Sequence, residues 1–187
     1  MKNINKNRKF QIGVMGSAAD LKYSVSARKA TEQIGYLVAK SGNYTVFGAE
    51  KDVDSLSTAA CRGAKLAGGL TIGITYEKGK KIFNEKTDVI IATGLVRGGG
   101  RELSLVLSCD AVVSISGGSG TLTELAIAYQ ADIPMVALKG FGGWSDALVN
   151  TYFDGRKRRK ILLAKTPEEA VRLALIEAKK FRQKYEK

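Results

Sequence analysis

A strand-like run, Ala111 to Ile115, leads into Ser116-Gly117-Gly118-Ser119-Gly120-Thr121, and a helical pattern begins at once. Glycines let the backbone turn its N–H groups toward an anion, and a helix N-terminus adds partial positive charge there. Ser119 and Thr121 contribute hydroxyl donors. The chemistry expected of Gly117, Gly118, Ser119, Gly120 and Thr121 is therefore the holding of a phosphate-like group. No Gly-Lys-Ser/Thr follows, so this is not a Walker loop, and the spacing is not the dinucleotide fingerprint. A tight turn with no ligand would use the same glycines. Two more glycine-rich segments fall at strand ends. One is Gly13 to Ser17, closing on Gly16 and Ser17; the other is Gly94 to Gly100, with Gly99 and Gly100.

Two charged residues flank these turns. Arg101 follows Gly98-Gly99-Gly100 directly, which places a guanidinium on a loop at the same sheet edge. The ordinary alternative is a surface arginine at a helix end. Glu124 stands three positions after Thr121, and Thr-x-x-Glu is also a capping-box pattern, in which the glutamate only ties down a backbone N–H. The functional alternative is a carboxylate projecting from the first helical turn toward the ligand, where the helix dipole favours its ionised form.

The sequence contains no histidine. That removes Ser-His and Cys-His nucleophile pairs, histidine metal sites and histidine bases together. Catalysis would have to run on carboxylates, Arg, Lys, Tyr or backbone dipoles. Cys61 and Cys109 form neither a disulfide framework nor a metal cluster; each sits in an apolar helical pattern, as a buried thiol would, and no metal site is expected. The chain carries 30 Lys and Arg against 18 Asp and Glu, a net charge of +12. The excess is gathered at the N-terminal arm, at Arg156-Lys157-Arg158-Arg159-Lys160 and from Lys179 to Lys187, away from the glycine turns. Few aromatics interleave with these runs, so a solvated surface is expected rather than a nucleic-acid interface. No apolar run approaches a membrane span and no signal-peptide core follows the arm, so a cytoplasmic protein is expected.

Strand and helix patterns alternate throughout. Strands are expected at Phe10 to Met15, Tyr44 to Phe47, Leu70 to Thr75, Val89 to Ala92, Ala111 to Ile115, Ile133 to Leu138 and Ile161 to Leu163. Helices are expected at Tyr23 to Lys40, Ser55 to Ala67, Arg101 to Cys109, Thr121 to Gln130, a short stretch at Leu148, and from Pro167 after the cap Thr166. Continuous apolar strands alternating with helices imply an α/β, Rossmann-like, doubly wound parallel sheet with helices on both faces. One domain is expected over residues 1–187, with a basic arm at 1–9 and a C-terminal helix at 167–184. Ligands in such sheets bind beyond the carboxyl ends of the strands.

Taken together, Arg101-Glu102-Leu103, Ser108-Cys109-Asp110-Ala111-Val112-Val113 and Ser116 through Leu125 resemble the Lonely Guy superfamily, also labelled lysine decarboxylase-like. Its signature is Pro-Gly-Gly-x-Gly-Thr-x-x-Glu, with an arginine about two helical turns before the aspartate that precedes the signature strand. The resemblance continues through Ala59 to Ala64, Ala67-Gly68-Gly69 and Gly142-Gly143-Trp144, roughly residues 10 to 175. It implies one of two activities. The first is phosphoribohydrolase action on the N-glycosidic bond of a nucleoside 5′-monophosphate, with Arg101 and Glu124 catalytic. The second is a non-catalytic carrier or sensor role resembling that of the molybdenum cofactor carriers, holding a molybdopterin-type ligand or a nucleotide. Either way it implies a small phosphorylated ligand, no required cofactor or metal, and a homo-oligomer. Gly16, Ser17, Gly48, Gly99 and Gly100 would line the site with the glycine turn.

Two departures stand out. Ser116 replaces the proline, a mild change in sequence terms. Where the family carries a glycine-rich loop near Gly-Gly-Gly-x-x-Gly-Leu-Met, this chain reads Gly48-Ala49-Glu50-Lys51-Asp52-Val53-Asp54-Ser55. Carboxylates lining an anion pocket would repel the ligand unless Lys51 or a cation compensates. Turn and capping chemistry would equally account for Asp52 and Asp54.

Overall fold

A computed structural model describes residues 8–83, 85–98 and 100–185. Gly99 and residues 1–7 of the basic arm lie outside that set. The strands are β1 (Gln11–Gly16), β2 (Tyr44–Gly48), β3 (Thr71–Thr75), β4 (Val89–Ala92), β5 (Ala111–Ile115), β6 (Met135–Leu138) and β7 (Ile161–Ala164). The helices are α1 (Val25–Lys40), α2 (Leu56–Leu66), α3 (Gly100–Leu107), α4 (Ser119–Gln130), α5 (Gly143–Leu148) and α6 (Pro167–Tyr185). All six strand pairings are parallel, in the order β4-β3-β2-β1-β5-β6-β7. The expected Rossmann-like α/β architecture is the one found.

Period-two alternation sends side chains of each central strand to opposite faces. Ile12 and Val14 of β1, with Ala111, Val113 and Ile115 of β5, meet α1, α2 and α6. Met15 and Val112 face the other way, onto Leu105 and Val106 of α3 and Leu125 and Ala128 of α4. Both faces are thus covered, as an all-parallel sheet requires. Ser24 caps α1 by accepting from Ala27 N at 3.0 Å, and Ser55 caps α2 by accepting from Thr58 N at 3.0 Å. Thr166 caps α6 as expected, its hydroxyl accepting from Glu169 N at 3.2 Å. Both cysteines are buried and unpaired. No helix among the described residues is long and apolar enough to cross a membrane.

The strand order reverses direction at β1, with β2 on one side and β5 on the other. The chain leaves β1 toward α1 on one face and leaves β5 toward α4 on the opposite face. A crevice opens between these diverging connections, beyond the carboxyl ends of the strands.

Candidate functional site

A cavity occupies that crevice. It is lined by Gly16 and Ser17 after β1, Gly48 and Glu50 after β2, Arg97, Arg101 and Glu102 around the start of α3, and Gly118 to Thr121 with Glu124 on α4. Asp20 and Leu21, from a short turn after β1, close one side. The fold therefore brings together Gly16, Ser17, Gly48, Arg101, Gly118, Ser119, Gly120, Thr121 and Glu124. Gly117 and Gly100 do not line it: Gly117 shapes the turn, and Gly100 packs closely on Leu95. Gly99 lies outside the described residues.

The glycine turn is held from two sides. Ser17 Oγ donates to Ser116 Oγ at 3.0 Å and accepts from Gly117 N at 2.9 Å. From the other side, Ser145 N donates to Ser116 O and Trp144 N to Gly117 O, each at 3.0 Å. A Cβ on Gly143 would lie 2.5 Å from the Ser116 carbonyl carbon, so Gly142-Gly143-Trp144 is the clamp that lets α5 sit on the turn. Ser116 and Gly117 both have positive φ, 55° and 98°. Proline fixes φ near −65°. The exchange of the family's proline for Ser116 is thus not the mild change the sequence suggests: proline cannot take this conformation.

The positive-φ pair also moves the start of α4. The helix begins at Ser119 with Gly118 as its N-cap, and no side chain caps it. The capping-box reading of Thr121 and Glu124 is thereby overturned, because Thr121 already lies inside the helix. Among the described residues, the N–H groups of Ser119, Gly120 and Thr121 meet no protein acceptor, and they face the cavity as a ready anion seat. A Cβ on Gly120 would meet nothing within 4 Å.

Opposite this seat lies a buried charge cluster. Arg101 is 5% exposed, so it is not the surface arginine of the ordinary alternative. Its Nη2 donates to Glu50 Oε1 and to Glu102 Oε1, each at 3.2 Å, while its buried Nε has no partner among the described residues. Arg97 pairs with the second oxygen of Glu50. Gly48 makes this possible, since a Cβ there would stand 2.1 Å from Arg101 Nη1. Glu124 is also buried, and burial pushes its carboxyl up to about 8; Arg101 pulls the other way, and Glu102 and Glu50 add to the rise. With Glu124 protonated, Glu50 and Glu102 balance Arg97 and Arg101. The sequence expectation of an ionised Glu124 is reversed because the desolvation of its carboxylate outweighs the helix dipole.

The acidic loop splits into three fates. Glu50 enters the cavity, where the two arginines, not Lys51, neutralise it. Lys51 pairs with Glu77 instead, at 3.1 Å. Asp54 accepts from Ser55 N and from both terminal nitrogens of Arg62, so it is held in an ion pair beside the cap Ser55 and not in the cavity. Asp52 lines a shallow side cavity with Asp20, Tyr76 and Arg97. Sequence reasoning missed Arg97 and Glu102 as cavity residues. A cation within the glycine-rich run Gly94 to Gly100 was the one signal for Arg97; Glu102 stood beside Arg101 in the motif that carries the resemblance but without a role, and nothing local marked Leu21. Among the described residues no group of three or more Cys, Asp or Glu is placed to hold a metal ion.

Known proteins are similar to this chain in sequence and in fold. The molybdenum cofactor binding protein from Rippkaea orientalis is 32% identical with a TM-score of 0.77, covering 91% of this chain and 98% of that one. The molybdenum cofactor carrier protein from Chlamydomonas reinhardtii is 29% identical with a TM-score of 0.74, covering 92% and 99%. An uncharacterized protein of Archaeoglobus fulgidus is 33% identical over 132 residues, 70% of this chain and 80% of that protein. A family model spanning residues 9–171 takes in the glycine turn, its α5 clamp and the arginine–glutamate cluster, and on that match the chain belongs to the SLOG cluster4 family.

Proposed function

We propose that this chain binds a phosphorylated, pterin-type ligand and releases it unchanged, as a carrier of molybdenum cofactor would. The observation that carries this reading is the engagement of Arg101. In a phosphoribohydrolase mechanism that guanidinium must hold the ribose or the leaving base. Here Glu50, standing where the family's loop carries glycine, and Glu102 already hold it at 3.2 Å each. Glu124, held mainly as the neutral acid near neutral pH, has little carboxylate available to take a proton from water. It can still donate a hydrogen bond to a polar ring edge.

The cavity fits such a cargo in its parts. The open N–H groups at the start of α4 suit the phosphate. The half-exposed Arg97 and the neutral Glu124 suit a heterocycle rich in hydrogen-bonding atoms. The structural neighbours described as molybdenum cofactor binding and carrier proteins support the same assignment.

The test is a turnover assay beside a binding assay. The protein is incubated with a panel of nucleoside 5′-monophosphates and assayed for free base and ribose 5-phosphate, while binding of a pterin phosphate is followed by fluorescence. The expected result is pterin binding with no base released. Multiple-turnover release of base, lost in Glu124→Gln, overturns the carrier reading in favour of the phosphoribohydrolase.

A further inference from the structure

Three basic segments that lie far apart in the sequence meet at the end of the fold opposite the cavity. Lys9 precedes β1, and the run Arg156 to Lys160 precedes β7, so both stand at the amino ends of their strands. α6 starts beside the carboxyl end of β7 and runs back to the same edge. Asp132, just before β6, fixes this convergence: it accepts from Arg159 Nε at 3.0 Å, Lys184 Nζ at 2.8 Å and Tyr185 OH at 2.9 Å. Asp110, just before β5, does the same for the arm, taking Arg8 at 2.7 Å and Arg182 at 3.4 Å. β1, β5, β6 and β7 are consecutive neighbours, so the edge is about 14 Å wide at ~4.8 Å per strand.

Among the described residues, the acids Asp110, Asp132, Asp154 and Glu177 of this edge are all held in ion pairs, and cations are left over. Lys9, Lys157, Arg158, Lys160 and Lys179 are exposed and form no ion pair among the described residues. Partial negative charge at helix C-termini accounts for a cation such as Lys40 at the end of α1, but not for the loop before β7. Aromatic rings stand at the same edge, Tyr152 shortly before the basic loop and Tyr185 within the last basic run. Tyr152 and Tyr185 are 39% and 53% exposed, with Lys160 Nζ 5.3 Å and Lys184 Nζ 5.0 Å from the respective ring centroids.

From these observations we infer that the amino-terminal edge of the sheet is a binding face for single-stranded nucleic acid, separate from the ligand cavity. Unpaired cations over a ~14 Å track match the rise of roughly four stacked nucleotides at ~3.4 Å each. Exposed rings beside cations are the stacking platforms that favour a single strand over a duplex and tolerate any base.

The experiment is fluorescence anisotropy of a labelled oligothymidylate titrated with the full chain across a salt series. Binding is expected at low salt, weakening steeply as salt rises. Lys157→Glu, Arg158→Glu and Lys160→Glu combined should lower the log–log salt slope by about 2, at ~0.7 per lost phosphate contact. Tyr152→Ala with Tyr185→Ala should weaken binding about 30-fold or more at an unchanged slope, the signature of two lost stacking contacts. These side chains are exposed, and circular dichroism verifies that each variant folds. Absence of binding at low salt overturns the inference. So does binding that excess AMP competes away, which would place the strand in the cavity. Charge-dependent binding indifferent to both tyrosines, and shared equally by anionic vesicles, shows a general polyanion surface and overturns it as well.

Discussion

Replacing Glu124 by glutamine separates the roles this residue could have. Burial raises its carboxyl from an ordinary 4.5 to about 8, so the folded protein holds a proton that the unfolded chain has released. A group raised in this way contributes stability fully below pH 4.5, and the contribution is lost as pH climbs toward 8. At ~1.4 kcal/mol per pH unit the whole span amounts to about 5 kcal/mol, and about 3 kcal/mol is already lost at pH 7. That is a large part of the ~5–15 kcal/mol that holds a domain folded. Glutamine keeps the shape and the hydrogen-bond donor but never ionises. Urea unfolding of wild type and Glu124→Gln from pH 4.5 to 8 should therefore show two curves that diverge, with the variant gaining several kcal/mol relative to wild type at the alkaline end. Parallel curves would refute the buried, protonated carboxyl. A uniform loss of ~0.5–2 kcal/mol in the variant would instead restore the capping role.

Other substitutions test the parts around it. Gly48→Ala puts a methyl group 2.1 Å from Arg101 Nη1, so it should dislodge the buried guanidinium from Glu50 and cost about 3–5 kcal/mol in chemical denaturation. Ser116→Pro restores the family's signature residue yet demands a φ opposite in sign to the observed 55°; it should lower the melting temperature by many degrees and abolish ligand binding. Affinity for an anionic ligand should hold steady below pH 8 and weaken up to about 10-fold per pH unit above it, as Glu124 ionises beside the ligand; titrations at three pH values measure this.

The sheet was legible because its signals are local. Apolar runs marked every strand, with glycine closing or closely following β1, β2, β4, β5 and β6, and Thr166 was readable as the cap of α6. The anion seat was legible for the same reason, being one contiguous turn. What stayed hidden depends on contacts across the fold. Glu50 and Arg101 are separated by 51 positions and meet only because β2 ends and α3 begins at one crevice. α4 begins two residues earlier than its pattern suggested because Ser116 takes a positive φ, which no composition rule assigns to serine. The ionisation of Glu124 was misjudged because the helix dipole can be read from sequence while burial cannot. Arg97 needed both the glycine-rich loop and the position of Glu50 to be found.

In the carrier reading a phosphorylated ligand sits on the open N–H groups of α4 and leaves intact. Gly120→Asp tests it most directly, since a side chain there meets nothing within 4 Å and an acid at a helix start does not harm folding. Wild type and variant are mixed anaerobically with isolated molybdenum cofactor and passed through gel filtration, and molybdenum and pterin are quantified in the protein peak. Cofactor should be recovered intact with wild type, with about 10-fold or more lost in the variant as the added carboxylate meets the phosphate. Equal recovery with both proteins, or none with wild type, would contradict it.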